Sequence, residues 1–132
     1  MDMDKVLVVA ENPFSLALMS DLLEANGLRT IRARSSREAI ECAERLLPDL
    51  VVVDVALSGN GSKVVLDRLK TRPRTRDIPV LAVGDRNQAA EAQRILDKRF
   101  AARMEKPIST TRFARSVVRA VRSRPQAVPA PR

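Results

Sequence analysis

The sequence predicts an α/β protein of the flavodoxin-like (βα)5 type, a three-layer sandwich with a parallel sheet in the strand order 2-1-3-4-5. Short runs of valine, leucine and isoleucine without polar alternation are typical of strands buried on both faces. Amphipathic segments separate these runs, and such alternation favours a parallel sheet covered by helices on both faces. Five β-α units fit into 132 residues, which is the length of one domain.

Five segments are predicted to be strands. Three are continuous apolar runs and two are weaker, and in chain order they cover residues 5–10, 28–33, 50–53, 78–83 and 101–104. Asp54 follows the third run directly, so we expect it at the carboxyl end of a central strand.

Five helices are predicted to alternate with these strands. They cover residues 13–26, 35–47, 62–70, 87–98 and 109–122. The pair Asn12-Pro13 is a good helix start, and Ser35 followed by Glu38 has the form of a capping box. We expect three apolar stripes to face the sheet: Leu18, Leu22 and Ala25; Ala39, Cys42, Ala43, Leu46 and Leu47; and Phe113, Val117 and Val121. Residues 123–132 hold three prolines and no core residues, so they are predicted to form a disordered tail behind a domain of residues 1–122.

Composition excludes several classes of chemistry. The chain has no histidine, which excludes a histidine-based triad, a zinc hydrolase and a phosphohistidine carrier. Cys42 is the single cysteine, so no internal disulfide is possible, and its place on an apolar stripe favours a small core residue. No segment has the charge and length of a signal peptide or a membrane span, so we expect a cytoplasmic protein without membrane contact.

Chemistry-bearing residues follow several of the predicted strands. In this topology ligands bind at the carboxyl ends of the strands, where Glu11, Asp54 and Lys106 should converge. Paired carboxylates repel each other unless a cation lies between them, and carboxylates with backbone carbonyls and water suit Mg²⁺. With an added lysine, the arrangement indicates a site for a phosphoryl group on Asp54.

The chain resembles a CheY-like receiver domain of two-component response regulators, particularly the single-domain kind. The resemblance covers about residues 4–122 and is carried by KVLVVAENPF, PDLVVVDVAL, RDIPVLAV and EKPI. It implies that Asp54 is the phospho-acceptor and that Lys106 pairs with the phosphoryl group. It also implies Mg²⁺ bound by Glu11, Asp54 and the backbone carbonyl of Ala56. Such a protein is not an enzyme in the usual sense, and its partners are a histidine kinase or a phosphotransfer protein.

Several positions depart from the family pattern. Ala10 stands where the first member of the usual acidic pair lies, and Glu11 stands where aspartate is the norm. Gly84 replaces the switch hydroxyl after the fourth strand, Asp85 follows it in place of a small neutral residue, and Arg103 replaces the switch aromatic. Asp85 either faces the pocket or is solvated. The usual hydroxyl–aromatic switch is therefore missing, and signalling is expected to use another element or constitutive binding.

The basic charge is concentrated in the last quarter of the chain. Residues 98–132 hold ten basic residues and one acidic residue, whereas the whole chain carries a net charge of +8. Arg112, Arg115, Arg119 and Arg122 share one stripe of the last helix, and Arg103 should extend it. This stripe is either a solvated helix face or a docking surface. In receiver domains the face of the fourth helix, fifth strand and fifth helix commonly meets partners, so we expect an acidic protein target there.

Simpler interpretations and other functions stay open at this point. Asp54 could be an ordinary strand-end residue, Glu11 a helix cap and Lys106 an exposed loop residue. The main alternative function is a degenerate receiver that binds a protein without phosphorylation. A nucleic-acid binder is weaker, because the chain has no Trp or Tyr and only three Phe for base stacking. A metal-dependent hydrolase is weaker still, since no substrate-binding insertion is present.

Overall fold

The computed structural model describes residues 4–85, 87–106, 108 and 110–123 and contains one five-stranded parallel sheet. The strands are β1 (Lys5–Val9), β2 (Arg29–Ala33), β3 (Leu50–Asp54), β4 (Val80–Gly84) and β5 (Ala102–Glu105). Their order is β2-β1-β3-β4-β5, and every neighbouring pair is parallel. The predicted fold class and strand order are confirmed.

Five helices and one short 3-10 turn connect the strands. They are α1 (Pro13–Ala25), α2 (Ser36–Leu46), the 3-10 turn (Ser58–Asn60), α3 (Gly61–Lys70), α4 (Ala89–Ile95) and α5 (Thr110–Ser123). Most ends agree with the prediction to within two residues, but α4 is much shorter than the predicted residues 87–98. It ends early because the amides of Leu96 and Asp97 bond three residues back, which tightens the last turn. The Asp97 carboxylate is then held by Arg99.

The three central strands are buried on both faces, and two apolar cores result. α1 and α5 cover one face, where Phe113, Val117 and Val121 pack with Val6 and Val8. On the other face, α2, α3 and α4 pack against the alternate strand residues. This is the predicted three-layer sandwich, and it explains why the three central strands are nearly continuous apolar runs in the sequence.

The stripe predicted for α1 is largely wrong. The buried face consists of Leu16, Met19, Ser20 and Leu23. Leu18 is 43% exposed and Ala25 is exposed, and only Leu22 is half-buried against the core. Leu16 and Leu18 are separated by roughly 200° around the helix axis, so a helix that buries the stripe of one exposes the stripe of the other. Both stripes carry leucine at helical spacing, and the sequence pattern does not distinguish them.

Helix α2 begins as predicted but buries a slightly different set of residues. The Ser35 hydroxyl accepts a hydrogen bond from the Glu38 amide at 3.1 Å, which caps the helix. Ala39, Ile40 and Ala43 are buried, so Ile40 was missed, whereas Leu47 is exposed. Leu47 takes the left-handed conformation just after the helix, at φ 46°. That turn rotates its side chain away from the stripe.

Cys42 is half-buried and packs against the core beneath α2. Burial raises the pKa of its thiol above the usual 9.0. Both observations agree with the prediction of a small core-side residue rather than a reactive thiol.

Helix α5 extends one residue into the segment predicted to be a tail, because Ser123 is its last residue. Residues 124–132 lie outside the described residues. Within the described part of the chain, no helix is both long and apolar enough to cross a membrane.

Candidate functional site

The candidate site lies at the carboxyl edge of the sheet, where the chain leaves β1, β3, β4 and β5. Asp54 is the last residue of β3, and Lys106 directly follows β5. The Lys106 amide donates to the carbonyl of Gly84 at 2.9 Å, so the parallel pairing of β4 and β5 continues as far as the lysine. Sheet register thus brings residues 52 positions apart in sequence to one place.

Asp54 is a buried carboxylate with a lysine partner. It is 4% exposed. Its Oδ1 accepts from the Ala56 amide at 2.9 Å and from Lys106 Nζ at 3.1 Å. Its Oδ2 lies 2.9 Å from the same ammonium, whose side chain is 30% exposed. The structure therefore places Asp54 and Lys106 in one ion pair, with a route from water to the pair along the lysine.

Glu11 contacts the loop after β3 rather than Asp54. Its carboxylate accepts hydrogen bonds from the backbone amide of Ser58 and from the Ser58 hydroxyl, the latter at 2.9 Å. These two donors lower the pKa of Glu11 from its usual 4.5. Asn12, not Glu11, caps α1 by accepting from the amides of Phe14 and Ser15 at 2.8 and 3.1 Å. The helix-cap interpretation of Glu11 is therefore wrong.

The oxygen donors near Asp54 fit Mg²⁺ with an incomplete protein shell. Mg²⁺ is commonly bound by one or two carboxylates and keeps several waters. The Ala56 amide contacts Asp54 and the Ser58 hydroxyl contacts Glu11, so the loop after β3 connects the two carboxylates. Ala10 is fully buried and offers only a methyl group. In the described residues, no group of three or more acidic or thiol side chains could hold a metal, so water would complete the shell.

The space where a side chain at position 84 would lie is occupied by the side chain of Val55. A Cβ atom built on Gly84 would lie 2.4 Å from Cγ2 of Val55 and 3.5 Å from Cδ1 of Ile95. Both of those side chains are buried. The position that resembles the family's switch hydroxyl therefore has no room for a side chain while Val55 keeps this position.

Asp85 organises the turn that leads into α4. Its Oδ1 accepts from the Asn87 amide at 2.9 Å, and its own amide donates to the carboxylate of buried Glu91 at 3.3 Å. The residue is half-buried. Both of the alternatives that the sequence left open for Asp85, pocket-facing and solvated, miss this local role as a turn-forming side chain.

Arg94 is a residue at the site that sequence reasoning missed. It is half-buried on α4, and its Nη1 donates to the carbonyl of Val55 at 3.2 Å. Val55 directly follows Asp54, so this guanidinium contacts the peptide next to the candidate phospho-acceptor. The sequence shows only that Arg94 lies on the helix that follows β4. Arginines are too common in this chain for that position alone to identify it as a site residue.

The arginine face is defined here as Arg103, Arg112, Arg115 and Arg119. These residues line a shallow groove of about 560 Å³ together with Met104, Glu105 and Ser116. Arg103 on β5 thus joins the stripe on α5, as predicted. Arg122 is exposed in the last turn of α5 and is not part of this groove.

A second surface was not foreseen. Phe14 is 85% exposed and Leu18 is 43% exposed. They are four residues apart on α1 and therefore share one face of that helix. Phe14 lies three residues after Glu11, close to the candidate site. This face of α1 therefore offers two exposed large apolar side chains.

Comparison with known proteins gives consistent results. Residues 6–118 match the response regulator receiver domain family. The chain is 36% identical over 112 residues to the polar-differentiation response regulator DivK of Brucella ovis, covering 85% of this chain and 91% of that protein. The DivK protein of Brucella anthropi is 35% identical over the same shares of both chains.

Solved structures show the same fold. The signal receiver domain of a histidine kinase from Syntrophus aciditrophicus aligns with a TM-score of 0.82 at 24% identity, over 96% of this chain and 97% of that one. The receiver domain of a sensor histidine kinase from Pseudomonas aeruginosa aligns with a TM-score of 0.84 at 19% identity, over 92% and 100%. The latter structure has a magnesium ion coordinated in its active-site cleft.

Proposed function

Because this chain belongs to the family of response regulator receiver domains, we propose that it accepts a phosphoryl group on Asp54 in a two-component phosphorelay and signals by binding another protein. Members of this family are signalling proteins rather than classical enzymes, and they interact with histidine kinases or phosphotransfer proteins. The DivK relatives are matched over 91% of their length. That coverage supports a single-domain response regulator.

The Asp54–Lys106 pair is the observation that carries the proposal. In the transfer, an Asp54 carboxylate oxygen attacks the phosphorus of a phosphohistidine on the donor protein. An oxygen–phosphorus bond forms, the phosphorus–nitrogen bond breaks, and the histidine nitrogen keeps the electron pair. Lys106, whose Nζ lies 2.9 Å from Oδ2, would neutralise the phosphoryl oxygens. The Ala56 amide on Oδ1 fixes the orientation of the carboxylate.

Mg²⁺ is proposed to be held by Asp54, Glu11 and the Ala56 carbonyl, with water in the remaining positions. The bound ion would screen the negative charge of the carboxylate and of the phosphoryl group. Glu11 must first exchange its contacts with Ser58 for the ion. The site is therefore proposed to bind Mg²⁺ more weakly than one with a free carboxylate at this position.

Two surfaces are proposed to serve the two kinds of partner. Phe14 and Leu18 are exposed on α1, which begins two residues after Glu11, and they suit the phosphoryl donor, which has to approach Asp54 directly. The arginine face lies on β5 and α5, and its charge suits an acidic protein target. Separate surfaces would let the donor and the target bind without competing.

The decisive experiment is a titration with Mg²⁺ and beryllofluoride followed by amide NMR, since beryllofluoride mimics a phosphoryl group on aspartate. We expect saturable shifts at Asp54, Ala56 and Lys106. Asp54→Ala should abolish them, whereas the control Asp77→Asn, an exposed carboxylate before β4, should leave them unchanged. Absence of any response in the unaltered protein would contradict phosphoryl transfer.

A phosphorylation-independent binding module is the second candidate function. Val55 occupies the space at Gly84, and Arg103 stands in the place of the switch aromatic, so the usual conformational readout is absent. In that case the acidic target would bind the arginine face equally well with and without beryllofluoride.

Steep loss of nucleic-acid binding with salt would instead be the sign of a phosphate-backbone contact.

A further inference from the structure

The β4 side of the site is closed by α4. Glu91 accepts the Asp85 amide at the end of β4, and Arg94 donates to the Val55 carbonyl at the end of β3. The two side chains are three residues apart and lie on one face of the helix. A helix of only seven residues is thus attached both to the end of β3, which carries Asp54, and to the end of the neighbouring β4.

The hydrogen bond from Arg94 is the one that a phosphoryl group can change. It joins a cation to a neutral carbonyl, and the carbonyl belongs to the residue following Asp54. An acyl phosphate on Asp54 would carry about −1.5 to −2 charges on three phosphoryl oxygens, in place of the single negative charge of the free carboxylate. A phosphoryl group adds a direct charge–charge attraction that a neutral carbonyl cannot offer, and a guanidinium fork matches phosphoryl geometry.

The protein has no hydroxyl that would compete for this role at the usual place. Gly84 has no side chain, and the buried Val55 and Ile95 side chains occupy the space above it. Arg94 also borders a cavity of about 400 Å³ between α3 and α4, together with Lys63, Gln93 and Phe100. The guanidinium therefore has space in which to turn.

Building on the proposed function, we propose that Arg94 couples the phosphorylation of Asp54 to α4. The guanidinium leaves the Val55 carbonyl for the phosphoryl oxygens, and α4 follows because Arg94 and the residues beside it form one rigid turn. Arg94 binds the phosphorylated state more strongly than the free state, and this difference is what a population shift requires. Arg94 is thus a positioning and coupling residue in place of the missing hydroxyl.

The test repeats the beryllofluoride and Mg²⁺ titration with Arg94→Ala and Arg94→Lys, using Arg68→Ala on the exposed surface of α3 as the matched control. In the unaltered protein and in the control, the amides of α4 should shift together with those around Asp54. Arg94→Ala should lose the α4 shifts and bind beryllofluoride about tenfold more weakly. Arg94→Lys keeps the charge without the fork, so it should show an intermediate affinity.

Each outcome decides the matter. If α4 shifts and affinity persist in Arg94→Ala, the coupling role of Arg94 is refuted while the phospho-acceptor remains. If the unaltered protein fails to respond, the proposed function and this inference fall together. Thermal unfolding identifies a purely structural role, which would lower the melting temperature without removing the α4 shifts. Should Arg94→Ala not fold, Arg94→Gln is read in the same way.

Discussion

Two sets of residues meet at the carboxyl edge of the sheet, called here the charged half and the apolar half. In the charged half, Asp54 at the end of β3 and Lys106 after β5 form an ion pair at 2.9 Å. In the apolar half, Val55 packs against Gly84 of β4 so closely that no further carbon fits. The first half holds what a phospho-acceptor needs, and the second lacks the hydroxyl that usually senses the phosphoryl group. Accepting a phosphoryl group and reporting it are therefore physically separable tasks in this fold.

The charged half should show the largest asymmetry between its two members. Lys106→Ala leaves the 4% exposed Asp54 carboxylate with the Ala56 amide as its remaining partner among the contacts described. We expect a loss of about 2–3 kcal/mol in the free energy of unfolding, less than for a fully dry pair because water reaches the lysine. Asp54→Ala should cost less than 1 kcal/mol, since the ammonium it leaves behind can turn toward water. Urea denaturation measures both.

Lys63→Ala is a suitable control for the charged half. Lys63 forms an exposed ion pair with Asp67 on α3 at 2.7 Å, and exposed pairs of this kind contribute about 0.3–0.5 kcal/mol. We attribute the expected asymmetry to the buried carboxylate, which loses its cation in Lys106→Ala. Equal losses of unfolding free energy for Lys106→Ala and Asp54→Ala would contradict this explanation.

The apolar half should behave as a single packing unit. Gly84→Ala forces Val55 to move and is expected to destabilise the protein by about 1–3 kcal/mol. Val55→Ala alone should cost about 2 kcal/mol through lost burial and a cavity. The double variant should lose at least about 1 kcal/mol less than the sum of the two single losses. Shortening Val55 makes room for the Cβ atom at position 84, and that Cβ atom fills part of the cavity.

A double-mutant cycle by chemical denaturation measures this coupling, and the two single variants serve as its controls. Strictly additive losses would show that Val55 adapts easily to a side chain at position 84. In that case packing would not explain why position 84 lacks a side-chain hydroxyl. The charged and apolar halves would then differ only in their residue types.

The charged half was predictable from sequence, whereas the apolar half was not. Asp54 ends a continuous apolar run and Lys106 follows the weaker fifth strand, and parallel topology then brings the two residues together. The contact of Val55 with Gly84 depends on a side-chain direction that strand periodicity does not give. The same limit explains α1, where two leucine stripes compete and the structure buries Leu16 rather than Leu18.

Glu11 was only partly predictable from the sequence. Its place at the carboxyl edge of the sheet was expected, but its contact with Ser58 was not. Ser58→Pro removes both donors to the Glu11 carboxylate. The substitution suits the backbone, because Leu57 has φ −55° and ψ 135°, the extended conformation that a residue before proline prefers. Hydrogen bonds to a carboxylate favour its charged form, so their removal should raise the pKa of Glu11 toward its ordinary 4.5. An NMR pH titration of the Glu11 side chain measures this change.

The same substitution should tighten Mg²⁺ binding by about threefold to tenfold, because the ion no longer has to displace two hydrogen bonds of an exposed carboxylate. Ser58→Ala keeps the amide donor and should fall between the two proteins in both measurements. If Ser58→Pro raises the pKa of Glu11 but leaves Mg²⁺ affinity unchanged, Glu11 does not contact the ion. The acidic side of the site would then depend on Asp54 alone, and the charged half of the edge would be confined to β3 and β5.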